Sequence, residues 1–303
     1  MFRGHPENGN KSMTDELTRA KNYLIQVQNA DGGWSYVATN STSPEPTIYA
    51  AVAMGRDEGK PKRAALRAFD WLASQTKPNG AISLPGQKDD HWTSLLHLFA
   101  LSKIKISADL QARLIDWAFT VKTQIADKVD DVPLDGKLMG WSWAKGTFSW
   151  VEPTSYALLA LKAAGKSDHP RVIEGTKMLA DRVCDDGGWN YGNHEVMGQH
   201  LTSYIPTTAL AAMALQNDGS SQKIINHALG YLEHEIGTNV STLNLGLTIL
   251  SLNVYGRNTD ELRPRLLARQ ESDGSWRGNA HLTSLSILAL ETFEKGAANA
   301  FKI

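Results

Sequence analysis

Two hydrophobic patterns alternate along the chain. In the first, the apolar residues would fall on only one face of a helix. Apolar residues recur at i, i+3, i+4 and i+7, beginning with Leu17, Ala20 and Leu24. This spacing predicts amphipathic helices at a surface. It appears in six stretches, at residues 17–27, 65–72, 110–121, 172–180, 225–232 and 262–268.

The second pattern is rich in Ala and Leu and apolar on nearly every side, which predicts fully buried helices. It fills residues 48–54, 94–101, 155–161, 208–215, 243–250 and 284–290. A short phrase ending in Thr opens each stretch: Glu45-Pro46-Thr47, His91-Trp92-Thr93, Glu152-Pro153-Thr154, Ile205-Pro206-Thr207, Val240-Ser241-Thr242 and His281-Leu282-Thr283. Proline suits the first turn of a helix, where its missing N–H costs nothing.

The repeated threonines lie on average about 47 residues apart, which is typical of stacked helical pairs. The chain is therefore predicted to form six outer and six inner helices in two layers. Periodicity alone leaves two arrangements open, an open solenoid and a closed ring.

Composition narrows the class of protein. With 31 Lys and Arg against 32 Asp and Glu, the chain has no basic surface for nucleic acid. No apolar run reaches the length of a transmembrane helix, and residues 1–13 lack the apolar core of a signal peptide. Cys184 is the only cysteine and can form no internal disulfide. We expect a cytoplasmic protein with a flexible leader at 1–13 and one domain at 14–303.

A third motif carries a family resemblance. Residues 28–34 and 270–276 both match Q-x-x-x-G-x-W, ending in Trp34 and Trp276. Residues 183–189 keep the Gly and Trp189 without the Gln, and 75–80 keep the Gln and Gly without the Trp. This resembles the repeat of squalene–hopene and oxidosqualene cyclases, in the terpenoid-cyclase and protein-prenyltransferase superfamily.

The resemblance implies an all-α fold, a single (α/α)6 toroid with six inner and six outer helices around a central cavity. It also implies that the tryptophans of this motif tie loops to outer helices, so that they lie outside the active site. A function does not follow from the fold, because one fold hosts many activities.

The residues that open the six phrases are expected to encircle one mouth of the ring. They are Glu45, His91, Glu152, Ile205, Val240 and His281. In a closed ring the ionisable members form one arc opposite the apolar ones, which suggests a site. A structural role is the alternative, because carboxylates are also favoured at helix N-termini by the helix dipole.

In the class II cyclases of this superfamily, an Asp in D-x-D-D-T-A or D-C-T-A donates the initiating proton. Residues 150–155 fall at that phrase, so the resemblance places Glu152 in the position of the acid. The second Asp, which would stabilise the conjugate base, is missing. Glu45 stands in an identical Glu-Pro-Thr and is the second catalytic candidate.

Aromatic residues near the predicted mouth are candidate ligand contacts. The long loop at 128–150 carries three tryptophans, and the loop at 190–200 is a second rim candidate. Their faces could stabilise a carbocation, hold an apolar ligand or grip a sugar ring. The predicted ligand-binding set is His91, His281, Trp92, Tyr49, Trp141, Trp143, Trp150, Tyr156 and Tyr204.

Three hypotheses follow. The first is a terpene cyclase of the isomerase or lyase type, which binds a prenyl or terpenoid ligand, with Glu152 as acid. The second is a noncatalytic toroid that binds a protein partner. The third is a metal-dependent prenyltransferase-like enzyme or one that acts on polysaccharides.

Cys184 does not reproduce the prenyltransferase zinc set, so no cofactor is expected; Zn or Mg could bind only through the ionisable arc. The resemblance implies a second helical barrel that helps to close the cavity in class II cyclases, and this sequence accounts for one barrel. Either a partner chain closes the pocket, or the ligand is small, or activity has been lost.

Overall fold

The computed structural model describes residues 13–84, 86–126, 134–237, 241–294, 296 and 298–303. This part of the chain contains twelve α-helices in two layers. The outer helices are α1 (Met13–Gln26), α3 (Gly59–Ser74), α5 (Ala108–Thr120), α7 (Pro170–Asp181), α9 (Gln222–Glu235) and α11 (Leu262–Leu267). The inner helices are α2 (Pro44–Gly55), α4 (Thr93–Ile104), α6 (Val151–Ala163), α8 (Ile205–Ala214), α10 (Thr242–Val254) and α12 (Ala280–Glu291).

The inner helices form a closed ring. Each one packs against the inner helix of the next repeat, and α12 returns to pack against α2. The first outer helix, α1, also packs against α12. The predicted all-α toroid of six inner and six outer helices is therefore confirmed, and the choice between solenoid and ring is settled.

Short elements decorate this ring. A hairpin of β1 (Glu195–Val196) and β2 (Gln199–His200) precedes α8, and a 3-10 turn at Gly219–Ser221 precedes α9. Residues 1–12 of the predicted leader, residues 128–133 of the long loop and Val240 lie outside the described residues, while Met13 begins α1. Within the described residues, no helix combines the length and apolar character needed to span a bilayer.

Three buried tryptophans fasten loops to the outer layer. Each indole N–H donates to a carbonyl ten residues earlier, at or near the end of the preceding outer helix. The pairs are Trp34 with Leu24, Trp189 with Leu179 and Trp276 with Leu266, at 2.7–2.9 Å. A buried aromatic ring with one satisfied polar tip suits such a junction.

Two glutamines connect neighbouring outer helices. The Gln28 amide donates to the carbonyls of Gly32, in its own loop, and of Ala64, in α3, at 2.6 and 2.8 Å. Gln270 makes the equivalent pair with its own loop and with Glu16 of α1, both at 3.0 Å. The second pair joins the last outer helix to the first.

Aromatic side chains fill the ring below its mouth. The hydroxyls of Tyr49, on α2, and Tyr156, on α6, are 3.0 Å apart. Because α4 separates these two helices in the ring, their hydrogen bond spans the lumen. Further along the axis, the Phe301 ring stacks on Phe99 at 5.1 Å. The central cavity that the resemblance implied is therefore occupied by side chains at this depth.

The last residues of the chain cover the far end of the ring. Gln216 donates to the Phe301 carbonyl at 2.7 Å, and Asn299 donates to the Leu250 carbonyl at 2.9 Å. Phe301 itself is buried. The candidate site consequently lies at the opposite end, where the inner helices begin.

Candidate functional site

Hydrogen bonds fix the register of the inner helices at the mouth. In five repeats, a hydroxyl near the helix start accepts a bond from a buried backbone N–H of the preceding loop, at 2.8–3.1 Å. The hydroxyls belong to Thr47, Ser94, Thr154, Thr208 and Thr283. The residue two positions before each hydroxyl is therefore equivalent: Glu45, Trp92, Glu152, Pro206 and His281.

This register corrects two predicted rim positions. Pro206, and not Ile205, is equivalent to Glu45, because the Trp189 N–H donates to the Thr208 hydroxyl, whereas the Thr207 hydroxyl donates to the Trp189 carbonyl. In the second repeat Trp92 takes that position in place of His91. In both repeats, the alignment of the three-residue phrase by sequence placed the rim position one residue too early in the chain.

Glu45 lies between a phenol and an imidazole. The Tyr36 hydroxyl donates to Glu45 Oε2, and His281 Nε2 is 4.0 Å from Oε1. The His281 ring packs on Tyr49, with centroids 4.5 Å apart. Burial lowers the pKa of His281, and the charge of Glu45 opposes that shift. Glu45 is thus held in place from two sides.

Glu152 has no such partners. It is the second residue of α6, and its carboxyl makes no hydrogen bond or ion pair with any described residue. Burial, and then the charge of Glu45, raise the pKa of Glu152 to about 8. Desolvation disfavours the charged form of a carboxyl and a like charge adds to this. Glu152 therefore carries a proton at neutral pH.

The two glutamates have different environments although their Glu-Pro-Thr phrases are identical. Glu45 receives a hydrogen bond, whereas Glu152 keeps a proton and no fixed partner. Pairs of carboxyls that differ in this way are typical of acid catalysis, in which one donates a proton beside a charged neighbour. This arrangement can deliver a proton to a ligand above the ring.

Four aromatic rings form a connected group that begins one helical turn below this pair of glutamates. Tyr49 and Tyr156 follow Glu45 and Glu152 by four residues, so each lies one turn deeper on the same face. Trp92 stacks on Tyr156 at 5.7 Å, and the edge of the Trp143 ring meets Trp92 at 4.7 Å. The structure thus brings together four predicted ligand contacts.

His91 stands at the edge of this group. Its Nδ1 is 2.7 Å from the Thr93 hydroxyl, and its ring centroid is 5.8 Å from that of Trp92. Burial lowers its pKa, opposed by the charge of Glu45. These contacts place His91 beside the aromatic group, with one ring nitrogen engaged at the start of α4.

An open cleft of about 500 Å³ adjoins the aromatic group. Trp92 and Trp143 line it, together with charged side chains that include Lys88, Lys122 and Lys145. A ligand can therefore reach these two rings from solvent.

Trp141 does not join the site. Its indole N–H donates to the Ala118 carbonyl at 2.9 Å, and the Arg171 guanidinium lies over the ring at 4.5 Å. The side chain is fully buried. Its backbone bonds to Thr154 as that of Trp34 bonds to Thr47. Trp141 therefore belongs to the wall of the ring, which corrects its predicted role as a ligand contact.

Trp150 and Tyr204 lie outside the group of four rings. Both line another cleft, between the loops that precede α6 and α8. The Tyr204 ring is 5.3 Å from that of Tyr191 and is about half exposed. These two candidates therefore share a surface that is separate from the glutamates.

Sequence reasoning missed Tyr36, which bonds Glu45. A repeat signal could have found it, because Tyr36 follows the wall residue Trp34 by two positions. Trp143 follows Trp141 at the same spacing. Residues two positions after a wall tryptophan thus reach the mouth in both loops.

A metal centre finds no support in this geometry. Among the described residues, no three His, Cys, Asp or Glu side chains come together as potential ligands. The predicted arc of His281, Glu45, His91 and Glu152 therefore does not form a compact ligand set.

The chain is similar in sequence to known proteins, although no protein-family model matches it. Over 85 residues it is 36% identical to a drimenyl diphosphate synthase from Streptantibioticus cattleyicolor, covering 28% of this chain and 16% of that protein. Over 231 residues it is 23% identical to a squalene–hopene cyclase from Bradyrhizobium diazoefficiens, covering 68% and 34%. The chain thus spans about a third or less of their lengths.

Solved structures share the fold. A variant of the type II terpene cyclase MstE from Scytonema, in complex with merosterolic acid A, aligns with a TM-score of 0.64 at 14% identity, covering 92% of this chain and 96% of that one. An α-1,6-mannanase of Salegentibacter, in complex with α-1,6-mannotriose, aligns with a TM-score of 0.65 at 8% identity, covering 93% and 99%. The chain therefore resembles the terpenoid-cyclase superfamily in sequence and fold, while glycosidases share the fold alone.

Proposed function

We propose that this terpenoid-cyclase-like chain binds an isoprenoid at the mouth of its ring, and that Glu152 protonates it to start a cyclisation. The observation that carries the proposal is the protonated, unpartnered carboxyl of Glu152 at the start of α6, beside aromatic faces. The names of the relatives support the isoprenoid class.

The chemistry of the first step is a proton transfer. The O–H bond of Glu152 breaks, a C–H bond forms at an alkene carbon, and the positive charge appears on the neighbouring carbon. The negative charges of Glu152 and Glu45 and the faces of Trp92 and Tyr156 then stabilise that cation. The charge of Glu45 thus acts twice, because it also holds the proton on Glu152 beforehand.

The rate of turnover is expected to decrease at alkaline pH and to stay level at lower pH. Glu152 is protonated below its pKa of about 8 and loses the proton above it. The value of kcat/KM should therefore be level below about pH 7 and fall about tenfold per unit above pH 8. We would measure it from pH 5 to 10 with a squalene-like or prenyl diphosphate substrate.

The matched control for this profile is Glu45→Gln. Removal of the Glu45 charge lowers the pKa of Glu152, so the loss of activity should begin at a lower pH. A rate that rises through pH 8 would contradict the proposal, since Glu152 would then act as a base.

Glycoside hydrolysis is a second candidate, and one observation favours it. A raised carboxyl pKa beside a second carboxylate is also what a glycosidic general acid requires. Incubation with α-1,6-mannan and with an isoprenoid separates the two candidates. Release of reducing sugar that depends on Glu152 would replace the isoprenoid proposal.

A further inference from the structure

Exposed apolar side chains are concentrated at one place on the ring. The described residues include eleven large hydrophobic side chains that are exposed. Five of them line a single cleft: Phe148, Tyr191, Val196, Leu201 and Tyr204. Scattered exposed apolar residues need no explanation, but a contiguous group marks a binding surface.

The cleft lies between two loops that are fastened together. Its volume is about 490 Å³, which falls within the ~300–1,000 Å³ typical of small-molecule sites. The Val151 N–H donates to the Tyr191 carbonyl at 2.9 Å. A Cβ on Gly192 would come within 3.1 Å of the Trp150 ring, so the loop backbone lies directly on that ring. The concave shape is therefore built into the loops.

Among the described residues that line the cleft, none offers a free charge. Arg182 is its one charged residue among those described, and the guanidinium pairs with Asp181 and donates to the Asp135 carbonyl. The Asn190 side chain is also engaged, by the Asn193 carbonyl and the Gly192 N–H, at 2.7 and 2.8 Å. Because burying an unpaired charge is costly, such a lining favours an uncharged occupant.

We propose that this cleft binds an uncharged, hydrocarbon-rich small molecule of isoprenoid size, at a place that neither Glu45 nor Glu152 lines. The proposal goes beyond the acid chemistry, because Glu152 does not line the cleft and no reaction is needed there. Aromatic and aliphatic walls contact the hydrocarbon, and the paired Arg182 gives an anionic group nothing to neutralise.

The test is the binding of an uncharged fluorescent probe, N-phenyl-1-naphthylamine, and its displacement by farnesol. The wild-type protein should bind the probe saturably, with farnesol displacing it better than farnesyl diphosphate. Val196→Asp should weaken binding about tenfold or more, because it places a charge against the hydrocarbon.

The matched control is Ile173→Asp on the outer helix α7. Val196 and Ile173 are 45% and 46% exposed, so both substitutions add the same charge at equal exposure. Only the first should weaken probe binding, with unchanged melting temperatures as the check on folding. A second pair, Leu201→Asp and Leu66→Asp, is matched at 39% and 42% exposure.

Four results of these experiments would overturn the inference, and a fifth concerns Glu152. The four are no saturable probe binding, equal loss in both members of a pair, better displacement by the diphosphate, and a dimer that Val196→Asp dissociates. Glu152→Gln should bind the probe normally, whether or not the protein turns over an isoprenoid. A loss of binding in that variant would place the ligand at the mouth instead and would also overturn the inference.

Discussion

Replacement of Glu152 by glutamine is expected to lower turnover by about 10²–10⁴-fold, the usual contribution of a positioned general acid. The amide keeps the size of the side chain but cannot release the proton. No described hydrogen bond is lost, because the Glu152 carboxyl makes none. The melting temperature at pH 5, where the wild-type carboxyl has lost little stability to ionisation, should therefore stay close to that of the wild type. Single-turnover product formation should fall.

Stability against pH provides an independent check on this variant. Because the folded protein raises the Glu152 pKa from an ordinary 4.5 to about 8, it binds the proton more tightly than the unfolded chain does. This carboxyl therefore makes the wild type less stable as pH rises from 4.5 to 8. Glu152→Gln removes that effect, so its melting temperature relative to wild type should be higher at pH 9 than at pH 5. Equal losses of activity and stability would instead assign Glu152 a structural role.

Trp141→Ala is expected to destabilise the protein by about 3–5 kcal/mol, as large-to-small replacements in a packed core do. The substitution removes the bond to the Ala118 carbonyl and the surface on which Arg171 stacks. Both contacts hold the loop before α6 against the outer layer. Urea unfolding followed by circular dichroism would measure the change in the free energy of unfolding.

Trp143→Ala is the control, two residues further along the same loop. Its ring is partly exposed and meets Trp92 edge-on at 4.7 Å. Loss of such an aromatic pair costs about 0.5–1.5 kcal/mol beyond area burial. This variant should unfold nearly like the wild type and bind a ligand more weakly at the mouth. The assignment of Trp141 to the wall would be wrong if the two variants lost equal stability.

The layers of the fold could be predicted from the sequence because inner and outer helices face different surroundings. A helix such as α6 is buried on nearly all sides, and its sequence is apolar almost throughout, whereas α3 has one apolar, buried face and one polar, exposed face. The filling of the lumen could not be predicted in this way. Phe301 comes from beyond the last repeat, and periodicity says nothing about a residue outside the period.

The candidate site was predictable only in part. Glu45, Glu152 and His281 follow from the repeated phrase, because each lies two residues before the threonine that anchors the helix start. Trp141 was misassigned because its partner, Ala118, lies 23 residues earlier and not ten, so the spacing gave no sign of a wall role. The pairing of Tyr36 with Glu45 depends on side-chain direction, which the motif does not encode.

The closure of the ring has a consequence for how the chain folds. Gln270 bonds to the Glu16 carbonyl, and Lys21 pairs with Glu291 at 2.9 Å, contacts that span 254 and 270 residues of sequence. An open array of repeats can nucleate locally and fray from its ends. Here every repeat has two neighbours, and loss of one repeat breaks two interfaces. The six repeats should therefore unfold as one cooperative unit, and contacts of such high sequence separation favour slow folding.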